Sequence, residues 1–295
     1  MIRNASKEAI IALILVAPFV AIFGLLFIYP TIQMFITSFT DAPLIGAGNW
    51  VGIANYMKLP SDPKFALALW NTGYFVLLSV VPGTFIALFV ALGVSRLSGW
   101  TQSLVLALFF LPYILPVSVV YRLWDWVLNY QFGLAMHVLD MVGIPRVPVF
   151  KSLTWFIPAV ALVTIWWTAG FSFLLFLAGL RSIPPEIYEA AQLDNAGPWL
   201  TFRKITWPLL WPVTALVLTI QLILQLKIFD QAYLFSTGGR RNDTLVMVEY
   251  IFVKAFVNNE GGQAAAIAVS LFVIVIVISV FQYQFLRFAG RGDRD

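Results

Sequence analysis

Six long apolar runs constrain this chain more than any other feature. They lie at about 9–37, 67–95, 101–123, 155–180, 208–235 and 264–287. One helical crossing of a bilayer takes about 20 apolar residues, so each run is long enough to cross. Lipid offers no partner for a bare backbone N–H or C=O, so a spanning segment of this kind must be a helix. The runs predict an all-α fold: a polytopic transmembrane helix bundle of six spans, one membrane domain over 1–295. The chain is 61% hydrophobic and 11% charged, whereas a soluble domain carries about a quarter charged residues. The first run follows Arg3 and Lys7. It is too long for the apolar region of a signal peptide and lacks a small-residue cleavage site near its end, which predicts an uncleaved first span.

The same reading excludes several chemistries. There is no cysteine and one histidine, His137, so neither a thiolate site nor a zinc site of several imidazoles is expected. The phosphate-loop pattern GxxxxGK(S/T) is missing, so this chain is not expected to bind ATP in that way. No GxSxG element suggests a hydrolase, and no basic run suggests nucleic acid. Prolines Pro18, Pro82, Pro112 and Pro116 lie in or near the apolar runs. Such breaks are tolerated where neighbours or cavity water satisfy the freed backbone, which favours a transport bundle over a simple anchor. With the N-terminus inside, Arg3, Lys7, Arg96, Arg181, Arg203, Lys204, Arg287, Arg291 and Arg294 all fall inside. As many basic residues fall outside, but in longer loops, which obey the positive-inside rule poorly. Both termini are therefore expected in the cytoplasm.

The connection 181–207 differs from the others. It reads Ile183-Pro184-Pro185-Glu186-Ile187-Tyr188-Glu189-Ala190-Ala191-Gln192-Leu193-Asp194-Asn195-Ala196 and runs on through Phe202, Ile205, Pro208 and Pro212. Pro184 and Pro185 suit a helix start, where the missing N–H groups are not needed. Glu186 and Glu189 fall in the first turns, at the positive end of the helix dipole. Ala190 and Ala191 keep the helix thin. Asn195 can adopt the left-handed conformation that ends a helix, and Pro198 cannot continue it. The result is a short surface helix. By pattern alone it either enters a groove on another protein or lies at the membrane interface as an ordinary amphipathic helix.

The residues themselves resemble the EAA loop of ATP-binding-cassette importer permeases, EAAxxDGAxxxxxFxxIxxPxxxP. Glu189, Ala190, Ala191, Asp194, Ala196, Phe202, Ile205, Pro208 and Pro212 match in register, and Asn195 stands where glycine is usual. Further echoes of the carbohydrate branch are Ala17-Pro18-Phe19, Tyr29-Pro30, Ser38-Phe39, Gly52-Ile53-Ala54-Asn55-Tyr56, Asn71-Thr72, Leu111-Pro112-Tyr113 and Leu177-Ala178-Gly179-Leu180. Phe229-Asp230 and Thr237-Gly238-Gly239 resemble the family's FD…TGGP, with Arg240 in place of the proline. The resemblance covers nearly the whole chain, which looks like the maltose-type permease subunit.

This resemblance implies an importer permease fold with a cytoplasmic coupling helix, in a bacterial inner membrane. It implies a non-catalytic subunit with several partners: a second permease in a heterodimer, two ATPase subunits, a periplasmic or lipid-anchored substrate-binding protein, and membrane lipid. ATP and Mg belong to the ATPases, and no cofactor is implied for this chain. Glu189 and Asp194 would make the coupling contacts, Ala190 and Ala191 the close fit, and Asn195 the turn. Asp194 also has a local reading, as a cap for backbone groups.

For the substrate path, Gln221 and Gln225 are spaced i,i+4 and share a helix face. Polar side chains at membrane depth are costly unless used, and amides can both donate to and accept from sugar hydroxyls. The alternative is an interhelical hydrogen bond. Register with the maltose-type permease carries over Gln221 and Gln225 as sugar contacts, with Tyr113, Val117, Thr164, Trp167 and Thr168; Val117 replaces a polar residue. Lys227 follows Gln225 by two residues. It can pair with Asp230, snorkel to the interface, or meet an anionic group on the sugar. Trp124, Trp126, Trp166 and Trp167 can stack on sugar faces or form an interface belt. A secondary transporter is the main rival, but no Asp or Glu lies in mid-span for ion coupling. A membrane scaffold would need neither the glutamine pair nor the EAA-type loop.

Overall fold

A computed structural model describes residues 2–236 and 242–289 of the chain. The Thr237-Gly238-Gly239-Arg240 stretch lies outside the described residues. In chain order the α-helices are α1 (Ile2–Phe23), α2 (Tyr29–Thr37), α3 (Ala54–Lys58), α4 (Pro63–Val94), α5 (Gly99–Ile114), α6 (Val117–Val127), α7 (Leu134–Met141), α8 (Phe156–Arg181), α9 (Pro185–Leu193), α10 (Pro198–Thr201), α11 (Trp207–Leu226), α12 (Asp230–Phe235), α13 (Met247–Phe252) and α14 (Gly261–Ala289). Five stretches are long and apolar enough to cross a membrane: Ile11–Thr37, Pro63–Val94, Phe156–Arg181, Pro198–Leu226 and Gly261–Leu286. The pair α5–α6 makes a sixth if its bend of 102° is counted within one span.

Two spans expected to be continuous are broken. The run 101–123 becomes α5 and α6. Leu115 is extended (φ −68°, ψ 137°), and so is Pro116 (ψ 145°). A proline disfavours the α region for the residue before it, so the break falls where the sequence places Pro116. The run 208–235 becomes α11 and α12, and no proline separates them. The last turn of α11 tightens to Lys227 N–H→Leu224 O and Ile228 N–H→Gln225 O bonds. Ile228 then packs into a buried apolar cluster, so tertiary packing accompanies this break.

Two π-helical turns, Gly24–Ile28 and Phe202–Thr206, each precede an X-Pro pair that opens the next α-helix: Tyr29-Pro30 and Trp207-Pro208. A helical proline lacks an N–H and crowds the carbonyl four residues earlier. A wider turn relieves that crowding.

The described chain divides into two compact units. The first is 1–62 with 251–272. Several motifs singled out in the sequence meet there. The Asn55 amide donates to Ser38 O (3.0 Å) and Thr40 O (2.8 Å), and Tyr56 Oη donates to Ser38 Oγ (2.6 Å). Phe39 lies against both Trp50 and Tyr56. Gly262 N–H donates to Ala42 O at 2.8 Å. A Cβ at Gly262 would stand 1.9 Å from Thr40 O, so only glycine permits this approach.

The second unit is 63–250 with 273–295. Here α4 and α8 run side by side in the same direction: Phe75 shares a cluster with Phe156 and Val160, while Ala91 shares one with Leu177 and Leu180. α5 and α11 run against α8: Phe109 meets Gly170 while Gln102 meets Arg181, and Val213 meets Gly179 while Gln221 meets Ser172. The Asn71-Thr72 pair docks the chain ahead of α13. The Asn71 amide donates to Leu245 O (2.9 Å) and Asp243 O (3.2 Å), and Met247 N–H donates to Thr72 Oγ1 (2.9 Å).

Candidate coupling helix and substrate path

The candidate coupling segment folds as its residues dictate. Pro184 is the N-cap and Pro185 the first helical residue of α9, with Glu186 in the first turn. At the other end Asn195 takes φ 55°. Ala196 N–H bonds Ala191 O (2.9 Å) and Asn195 N–H bonds Gln192 O (3.0 Å). These two bonds make a Schellman motif, in which one left-handed residue satisfies the last carbonyls. Pro198 then opens α10.

The faces of α9 are distinct. Glu189, Ala190, Asp194 and Asn195 are exposed, and Leu193 is 85% exposed. Ala191 is buried instead. It shares the inner face with Ile187, four residues earlier, which packs with Tyr188 against the cluster of Ile183, Leu180 and Leu210. Of the two alanines expected to form an outward small-residue face, one therefore seats the helix on its own chain. Consecutive helical residues point about 100° apart, so both cannot face outward. The Tyr188 hydroxyl lies 3.3 Å from Thr206 Oγ1 and ties α9 to the turn that follows it.

The path residues gather on α5, α6, α8 and α11. Tyr113 is exposed and stacks on Phe171 at 5.5 Å. Val117 is half-buried and opens α6. Trp167 Nε1 donates to Leu115 O at 3.1 Å, across the α5–α6 break. The Thr164 hydroxyl is buried and donates to Val160 O, and Thr168 donates to Thr164 O. Gln221 and Gln225 are each 5% exposed. The Gln225 amide donates to Gln221 Oε1 (3.1 Å), and the Gln221 amide donates to Ser172 Oγ (2.7 Å). The pair forms an interhelical relay inside this chain. Ser172 was missed in the sequence. Its signal was the i,i+4 polar stripe Thr164, Thr168, Ser172 along one face of α8.

Lys227 is exposed at the C-cap of α11 and makes no ion pair with Asp230 among the described residues. Trp124 and Trp166 pack edge to face at 5.4 Å, and Trp124 Nε1 is buried without a hydrogen-bond partner among the described residues. Among the described residues no group of three or more His, Cys, Asp or Glu is placed to hold a metal ion. Glu249, on α13, is a buried carboxyl that sequence reading passed over.

A family model described as the binding-protein-dependent transport system inner membrane component matches residues 83–288. The chain is 33% identical over 273 residues to the sulfoquinovosyl glycerol transport system permease protein SmoG of Agrobacterium fabrum, covering 90% of this chain and 86% of that protein. It is 28% identical to the trehalose/maltose transport system permease protein MalF of Thermococcus litoralis, covering 96% and 95%. Among solved structures, a chain of a bacterial alginate ABC transporter, in complex with an alginate pentasaccharide-bound periplasmic protein, superposes with a TM-score of 0.87. The match is 23% identical and covers 98% of this chain and 97% of that one; it shows that the fold is shared.

Proposed function

The chain belongs to the family of binding-protein-dependent transport system inner membrane components, and from that premise we propose that α9 couples it to ATPase subunits. It is a multi-pass permease subunit of an ATP-binding-cassette sugar importer served by an external binding protein. In the proposed assembly it pairs with a different permease subunit, and two ATPase subunits dock beneath the pair. The ATPases bind ATP and Mg and carry the catalysis; this chain carries none. The 181–207 loop and both termini face the cytoplasm. The observation that carries the reading is the exposed acidic edge of α9, Glu189 and Asp194, on a helix fixed at one end by two prolines and at the other by Asn195. Closure of the ATPases on this helix is a nucleotide-driven bias on a two-state pathway.

Sugar passes along the side where Tyr113 and Lys227 are exposed. Gln221 and Gln225 reach it only when their relay to Ser172 opens, as the pathway turns outward. The exposed Lys227 ammonium, without an ion pair to Asp230, favours a sugar carrying an anionic substituent.

Glu189→Lys tests the coupling assignment. It reverses the charge at the exposed acidic edge of α9. Uptake should be abolished at unchanged membrane level, with the ATPases no longer co-purifying. Wild-type uptake would remove Glu189 from the coupling role. In Lys227→Met, uptake of the native sugar should fall if that sugar is anionic, because a charge-assisted bond is lost; a neutral sugar should be carried as before.

A further inference from the structure

Beside the coupling helix a cleft of about 670 Å³ opens between the end of α4, the end of α8 and residues 188–206. That volume falls in the range of roughly 300–1,000 Å³ usual for small-molecule sites. The wall is apolar, with Phe89, Leu92, Leu180 and Phe202, and Arg96 and Trp199 also line it. The candidate span of α4 ends at Val94, and another candidate span begins at Pro198. The cleft therefore sits where hydrocarbon gives way to head groups. Trp199 is 71% exposed, and an exposed indole suits that depth.

The charges agree with this depth. Arg96 is exposed and makes no ion pair among the described residues. Arg203 and Lys204 lie on the π-helical turn that supplies Phe202, and they too are exposed and without an ion pair among the described residues. Glu189 and Asp194 are on α9 but do not line the cleft. An apolar slot with one cation in its lining and two more on the turn that supplies Phe202, at head-group depth between membrane helices, matches one ligand chemistry: an acyl chain carrying a phosphate. We propose that this cleft seats an anionic phospholipid, with an acyl chain along Phe89, Leu92 and Phe202 and its phosphate against Arg96. Tyr188 and Gln192 of the coupling segment form part of the same lining, so the bound lipid braces the coupling helix from behind.

The test uses the transporter assembled with its partners, in nanodiscs of phosphatidylcholine with or without phosphatidylglycerol. Spin-labelled versions of both lipids report the immobilised fraction. The wild type should immobilise phosphatidylglycerol preferentially, and Arg96→Gln should lower that preference about five-fold, the effect of one cation near a membrane surface. Leu92→Trp should fill the slot and release the immobilised lipid. Lys151→Gln, an exposed cation outside the lining, should leave the preference unchanged. Equal immobilisation of both lipids by the wild type, as expected if a segment of the partner permease fills the cleft, overturns the proposal. So does an undiminished preference in Arg96→Gln. If Arg96→Gln fails to assemble, salt titration of the wild type carries the same test. The preference should fall as salt screens the rim, and a preference indifferent to salt overturns the assignment.

Discussion

A carboxyl with no exposure and a single side-chain hydrogen bond is costly to ionise. Glu249 is such a group: Ser236 Oγ donates to its Oε1 at 3.2 Å, while Oε2 is buried without a hydrogen-bond partner among the described residues. Burial is the main cause that pushes its pKa up from 4.5 to about 7, against the opposing hydrogen bonds from Ser236 and the Val246 backbone. α13 lies outside the spanning helices. The sign follows from linkage: a raised pKa means the docked segment holds the proton more tightly than the open one. Docking is strongest below the open-state value near 4.5 and weakens as pH rises through about 7. The full range is on the order of 3 kcal/mol. Hydrogen exchange of the 243–250 amides should therefore quicken as pH rises towards 7, beyond the intrinsic rate change, and Glu249→Gln should remove that excess. The glutamine relay gives a second expectation. Gln221→Leu leaves the buried Ser172 hydroxyl without its partner, which should cost about 1–3 kcal/mol. Thermal unfolding in detergent should show it, and Ser172→Ala in the same chain should restore part of the loss. The spacing of Gln221 and Gln225 was legible in the sequence, but their partner was not. Ser172 lies 49 residues away, and only the antiparallel packing of α11 on α8 brings it within 2.7 Å.

At the scale of elements, close backbone approach holds α5 to α8. A Cβ on Gly170 would stand 2.2 Å from Phe109 O, with no flexible side chain to yield. Gly170→Leu should therefore push the two helices apart and cost more than the roughly 1–3 kcal/mol of ordinary overpacking. Loss of assembled transporter at matched expression would register it. Gly179 differs: its nearest neighbour is Val213 Cγ2 at 2.8 Å, a side chain that can shift, so Gly179→Ala should be milder. One helix end made by local chemistry was readable in advance. Asn195 marks the end of α9 as expected, whereas the α5–α6 break at Pro116 was not anticipated, although its proline is the local cause. The end of α11 was not readable, because no residue at 227–229 forbids a helix, and the break accompanies burial of Ile228.

At the scale of the whole molecule, the first span is apolar and exposed among the described residues. None of its most apolar window is buried, and Leu13, Leu15 and Phe19 are each more than two-thirds exposed. Lipid or another chain must cover it. The purified subunit, freed of ATPase, should show no nucleotide turnover, because it lacks a phosphate loop. Turnover that follows this chain through successive purification steps would contradict the proposed division of labour. By itself the sequence determined the all-α class, the membrane location, the number of apolar runs and the short helix that follows Pro184. Each depends on local rules: run length against bilayer thickness, proline and asparagine at helix ends, and charge near a dipole. Only the tertiary structure decided that Ala191 faces inward, that the Gln221 amide is spent on Ser172, and that Glu249 is buried. Those outcomes depend on which helices pack and in what direction, and residues far apart in sequence settle that jointly.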